Sequence, residues 1–107
     1  RKVESDRDFS LKLLRCSYAA YGKYSDLLSS LVSSFEKDRL VSTDVCLMVC
    51  CLAEVMNFDS IPARVSINEY VEISKFYGTP KSSVFVNGLL DRAVRKLLSE
   101  SGSTKTL

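Results

Sequence analysis

Three groups of residues in this 107-residue chain carry side chains capable of chemistry: four cysteines, two glutamates three positions apart, and a short basic, aromatic loop. Cys16, Cys46, Cys50 and Cys51 invite a metal or redox reading. The chain has no histidine to complete a zinc site, and the spacing C-x3-C-C lacks the paired knuckles of structural zinc modules. Cys46, Val49, Cys50 and Ala53 instead recur at helical spacing among Leu, Met and Val, where a reduced thiol packs as a small hydrophobe. The cysteines are therefore expected in the core, with no metal and no cofactor implied. Glu69 and Glu72 have the spacing of an acid/base pair, but solvated carboxylates on one helix face share it. Neither a phosphate-cradling glycine loop nor a nucleophile with its base is present, which excludes the familiar catalytic constellations.

The loop from Tyr77 to Phe85 is the segment suited to binding. Tyr77 and Phe85 offer rings on which bases stack, Lys81 offers a cation, and Thr79, Ser82 and Ser83 offer hydroxyls beside a helix start. These are the groups that grip single-stranded RNA: stacking contributes about 1–3 kcal/mol per base, and the N–H groups of a helix start attract phosphate. The same two rings also suit a clamp between the flanking helices, and both roles are compatible with the sequence.

Positioning that loop requires the elements on either side. Pro62 suits a first helical turn, and Ile67, Val71, Ser74 and Tyr77 then follow at helical spacing, with Tyr70 and Ile73 beside them. Gly78 and Pro80 end this helix. Ser82 or Ser83 caps the next, in which Val86, Leu89, Leu90, Ala93, Val94, Leu97 and Leu98 repeat at threes and fours. Gly88 inside it points to a close helix approach, and Asn87 to a loop hydrogen bond or to solvent. Upstream, a first helix starts near Asp6 or Asp8 and ends at Gly22, and a second carries Tyr24, Leu27, Leu28, Leu31, Val32 and Phe35. Glu36 to Arg39 reads as a turn. Ser42 or Thr43 caps a third helix, apolar nearly all round, so residues 45–55 form the hub of a bundle. Glu54 interrupts that hub, and must lie at its rim or pair with a basic side chain.

No strand pattern appears, and 4 glycines and 2 prolines supply little turn material. The expected fold is all-α, a compact bundle of about five helices over residues 1–98, followed by a Ser/Thr-rich tail, 99–107, that frays. At 46% hydrophobic content the chain can bury about 65% of its unfolded surface in one core. A formal charge of +2 does not by itself predict a nucleic-acid partner. Its distribution is informative: from Lys75 onward the basic residues Lys75, Lys81, Arg92, Arg95, Lys96 and Lys105 outnumber Asp91 and Glu100, which reads either as a basic patch near the loop or as a solvated helix face. No apolar run approaches the ~20 residues of a membrane span, and no secretory leader pattern is visible, so a cytoplasmic protein is expected. The chain opens on Arg1, as a piece of a longer protein would.

The run I-P-A-R-V-S-I-N-E-Y-V-E-I-S-K-F-Y-G-T-P-K-S-S-V-F-V-N-G-L-L-D-R, residues 61–92, resembles the C-terminal signature of the NusB family of antitermination factors, P-x-[KR]-V-x-I-N-E-x-V-E-[LI]-[AS]-K-x-[FY]-[GS] followed by F-V-N-G-[VL]-L-D. Looser resemblances extend upstream, in Asp8 to Leu14, Tyr24 to Leu28 and Val45 to Val55. The resemblance implies a NusB-like helical fold and a non-enzymatic protein that binds single-stranded boxA-type RNA together with a NusE-type ribosomal protein. It also implies a place in the RNA polymerase antitermination complex of ribosomal RNA operons. It puts Tyr77, Lys81, Val84 and Phe85 at the RNA, and Asp44 and Met48 on the surface meeting the protein partner. Lys81 stands where some relatives are acidic, and Val49 where the family often has arginine. The family's arginine-rich first helix, A-R-x-x-A-[LV]-Q-x-L-[YF], is absent, so the resemblance is to a C-terminal portion. Two other readings share the fold: an RNA-binding appendage of an RNA cytosine methyltransferase, against which a tail resembling a natural C-terminus argues, and a helical interaction module without RNA. A homodimer is compatible with all three.

Overall fold

A computed structural model describes residues 3–107, which form five α-helices: α1 (Val3–Ala19), α2 (Tyr21–Leu31), α3 (Ser42–Asn57), α4 (Ala63–Ser74) and α5 (Pro80–Ser101). A single 3-10 turn, Lys37–Arg39, lies between α2 and α3. Among the described residues there is no strand. The radius of gyration, 13.5 Å, is close to the ~13 Å of a close-packed globule of this length.

α3 is the hub, as its apolar circumference requires: it touches each of the other four helices. Met48, Val49, Cys51, Leu52, Ala53 and Val55 are all buried along it. Leu28 of α2, Ile67 of α4, and Val86, Leu89, Leu90 and Val94 of α5 close around them. Each such side chain contributes about 1.5–3 kcal/mol on full burial. The cysteines divide rather than all joining the core. Cys51 is buried, and burial pushes its thiol far above the ordinary value, but Cys16 and Cys50 are half-buried and Cys46 is exposed.

Glu54 departs from expectation, being neither at the rim nor paired with a base. It is 3% exposed, and its carboxylate accepts from the Ser66 hydroxyl and, at 3.4 Å, from the Tyr70 hydroxyl. Two hydroxyls from α4 thus satisfy a buried carboxylate of α3, and burial together with Glu54 raises the Tyr70 phenol. Sequence reasoning sought an opposite charge; the fold uses neutral donors.

Several boundaries move for physical reasons. The break between α1 and α2 falls at Ala20, and Gly22 lies inside α2. α2 stops at Leu31, whose carbonyl accepts from Arg92 Nη1 of α5 at 2.8 Å, and Phe35, expected on the helix's apolar face, is 93% exposed. Pro80, read as a stop for α4, is the first residue of α5, where a proline loses no hydrogen bond; Thr79, not Ser82 or Ser83, is the cap. Gly88 has no atom within 4 Å of where a Cβ would sit, so close packing does not explain it. Asn87 faces solvent. α5 runs three residues past Leu98 and ends on Gly102, at φ 67°. Instead of fraying freely, the chain beyond it folds back: Lys105 Nζ donates to the Val55 and Phe58 carbonyls at the end of α3, both at 2.7 Å, and Leu107 packs on the core.

Candidate nucleic-acid interface

The turn between α4 and α5 is built on a crowded glycine. Gly78 N–H donates to the Ser74 carbonyl at 2.9 Å, and a Cβ at Gly78 would lie 3.0 Å from that oxygen and 3.0 Å from the Ser82 Cβ. Gly78 is thus required by close approach and not by a positive φ, which only Gly102 adopts among the described residues. Thr79 Oγ1 then accepts from Ser82 N–H at 3.2 Å and the Thr79 carbonyl accepts from Ser83 N–H at 3.1 Å. Pro80 has no N–H to place. The Lys81 amide is therefore left without an acceptor among the described residues, at the positive end of a 22-residue helix.

A groove of about 440 Å³ opens at this helix start, between Lys81 and Ser82 on one side and Arg39 and Val41 on the other. Arg39 is held in place twice. Its Nη2 donates to the Lys81 carbonyl at 3.1 Å, and its guanidinium lies 4.4 Å from the centre of the Phe85 ring. Asp44, on the first turn of α3, lines the same groove; it is 2% exposed, and its Oδ1 has no hydrogen-bond partner. Desolvation raises its carboxyl above the usual range, opposed by the Tyr77 hydroxyl beside it, while burial and Asp44 push the Tyr77 phenol upward.

The sequence-predicted residues separate into two sets. Lys81, exposed, lines the groove and, with Arg39, Pro80 and the 73% exposed Val84, a second hollow of about 390 Å³; half-exposed Tyr77 lines neither and stands next to the groove's Asp44. Phe85 does not present a ring to solvent: it is 6% exposed, one face on the core and the other under Arg39. The outward ring beside Tyr77 is Phe76, 89% exposed. Asp44 and Met48, assigned to a partner-facing surface, are both buried, Met48 completely, because they sit on the inward side of the hub helix. Sequence reasoning missed Phe76 and Arg39. Phe76 stood beside Tyr77 in the same motif, but Arg39 lay in a charged stretch read as a turn, 42 residues from its Lys81 contact, and no local signal joins the two.

The expected basic patch is also smaller than the sequence indicated. Arg92 caps α2, Arg95 and Arg64 pair with Asp91 at 2.9 Å each, Lys75 pairs with Glu72 at 2.7 Å, and Lys105 is tied to α3. Lys81 and Arg39 are the cations at the groove.

A second face is apolar. Leu14 and Tyr18 of α1 are 67% and 86% exposed, and with Tyr21, Val49, Cys46 and Cys50 they line a hollow of about 300 Å³. Another of about 410 Å³ shares Cys46 and Cys50 with it and reaches Tyr77. Val49 lies buried beneath this face. No group of three or more potential metal ligands occurs among the described residues, and none of their helices is long and apolar enough to cross a membrane.

The model of the NusB family matches residues 1–95. The chain belongs to the NusB family. Its relatives include proteins named transcription antitermination protein NusB in Salinibacter ruber, 30% identical over 95% of this chain and 64% of that protein, and in Dictyoglomus thermophilum, 35% identical over 89% and 72%. The NusB protein of Methylacidiphilum infernorum is 41% identical over 64% of this chain and 48% of its own length. The chain thus spans about half to nearly three quarters of the length of these NusB proteins. No solved structure matches it.

Proposed function

We propose that this chain is the RNA- and partner-binding part of a transcription antitermination factor, taking single-stranded boxA-type RNA at the α4–α5 turn together with a NusE-type ribosomal protein, on RNA polymerase in the cytoplasm. The observation that carries the RNA reading is the groove lined by Arg39 and Lys81 at an unspent helix-start amide, with half-exposed Tyr77 next to its Asp44 wall and the exposed Phe76 preceding Tyr77 in the chain. Cations and amides hold phosphate while aromatic faces hold bases, and no bond need be made or broken. The reading is therefore non-enzymatic.

For the protein partner, the burial of Asp44 and Met48 favours the apolar face over α1 and α3 as the surface of contact. Exposed large side chains grouped around connected hollows are what a partner covers, and Leu14, Tyr18 and Tyr21 form such a group. That face reaches Tyr77, so RNA and protein would meet along one edge.

The decisive experiment is a fluorescence titration of a boxA-type single-stranded RNA with the chain and with its Lys81→Glu variant. Reversing an exposed charge should weaken binding by about tenfold or more while moving Tm by about a degree or two at most. Equal affinity in the two proteins refutes the site.

A further inference from the structure

Three features beside the groove are unexplained by packing within the chain. Gly88 stands inside α5, where glycine weakens a helix relative to alanine, yet nothing lies within 4 Å of where its Cβ would be. Phe35, on the connection between α2 and α3, is 93% exposed, and Val84 is 73% exposed.

The fold brings the three to one side of the molecule. Lys81, Phe85, Gly88 and Arg92 recur at helical spacing and form a single stripe along α5. The connection is pinned to both ends of that stripe. At one end the Leu31 carbonyl accepts from Arg92 Nη1 at 2.8 Å; at the other, Arg39 Nη2 donates to the Lys81 carbonyl at 3.1 Å and its guanidinium lies over the Phe85 ring. About 16 Å of helix axis separates the two pins. Phe35 falls midway between Leu31 and Arg39 in the chain, at about the level of Gly88, and the connection leaves the helix uncovered there.

The stripe continues the groove, because Val84, one turn before Gly88, shares a hollow with Arg39, Pro80 and Lys81. A protein partner would want a broad apolar surface, and the flanking Asn87, Asp91 and Arg92 do not supply one. A single strand needs less: a ring face for a base and bare helix backbone against which its sugar can lie. Glu36 is held below the usual carboxylate range by the Ser33 amide and then by Arg92 and Arg39, and it offsets those two guanidiniums. The stripe therefore offers stacking and close approach rather than extra charge.

We propose that RNA leaving the groove past Val84 crosses α5 at Gly88 and stacks one base on Phe35, a non-ionic subsite next to the ionic one. The inference rests on the RNA-binding reading and extends its path by one nucleotide.

The test titrates the full chain with oligouridines of about four nucleotides, enough for the groove, and about eight, enough to reach the stripe. Phe35→Ala should weaken the longer strand about tenfold, leave the shorter within about twofold and move Tm by about a degree or two at most. Gly88→Leu should weaken the longer strand likewise while holding or raising Tm, since leucine is the better helix former and meets open space in the free chain. The salt slope for the longer strand should be the same in both variants as in the unaltered chain, because no cation is lost. If both variants bind the longer strand as tightly as the unaltered chain does, the subsite is overturned and the groove stands. An equal loss for the two strands places Phe35 and Gly88 in the groove itself and also overturns a separate subsite. If neither strand binds the unaltered chain, the RNA reading fails and the subsite with it.

Discussion

Phe76 and Phe85 are nine positions apart and differ in nearly everything that governs a substitution. Phe85 is 6% exposed, so Phe85→Ala removes a core ring and the support of Arg39; it should cost about 3–5 kcal/mol, measured by urea unfolding. Phe76 is 89% exposed, so Phe76→Ala should change stability by less than about 0.5 kcal/mol while weakening RNA binding by about 1–3 kcal/mol if bases stack there. The opposite pattern would return the stacking role to Phe85. Asp44 gives a third contrast, in its pH dependence. Its folded carboxyl titrates above the ordinary value of 3.8, so between 3.8 and the raised value the folded chain binds a proton that the unfolded chain does not. The group's effect on stability is thus most favourable at acid pH and worsens as pH rises through that window. Asp44→Asn, mimicking the uncharged form, should raise Tm at pH 7, and its advantage should shrink as pH approaches 3.8. A lower Tm at pH 7 would mean that the positive start of α3 outweighs desolvation.

At the scale of the elements, the sequence was informative about helix identity and weak about helix ends. All five helices announced themselves by apolar spacing, and the all-round apolarity of residues 45–55 identified the hub, because burial on every side leaves no polar stripe. Ends depend on which of several competent residues supplies a cap, and that choice is made by tertiary contacts. Ser82, Ser83 and Thr79 all have suitable hydroxyls; Thr79 wins because Pro80 behind it can open a helix but not continue one. Thr79→Ala should accordingly cost about 1 kcal/mol and loosen the start of α5, read by chemical denaturation. A conservative change at Ser82 should leave the cap intact, since that residue contributes its amide and not its hydroxyl. Of the candidate site, the turn, Tyr77 and Lys81 were legible in sequence. Arg39 was not, because its position depends on how the α2–α3 connection folds across to α5.

Across the whole molecule, the formal charge of +2 gives little field to gather RNA, and pairing leaves few basic side chains free to meet phosphate. Arg64 and Arg95 share Asp91, Lys75 holds Glu72, Arg92 caps α2 and Lys105 is bound to α3, so most basic groups near the C-terminal half are engaged in holding helices together. Affinity must then come from a few phosphates at the groove rather than from the surface at large. With Arg39 and Lys81, the two cations at the groove, neutralising about two phosphates, log K for a single strand should fall with log salt at a slope of about −1.4. Lys81→Glu should make that slope shallower by about one phosphate's share, roughly 0.7. Arg95→Gln, on a cation committed to Asp91, should leave it unchanged. A slope several units steeper in the unaltered chain would mean that the paired residues release their carboxylates to bind RNA, and that the strand follows a longer path over α5 than the groove defines.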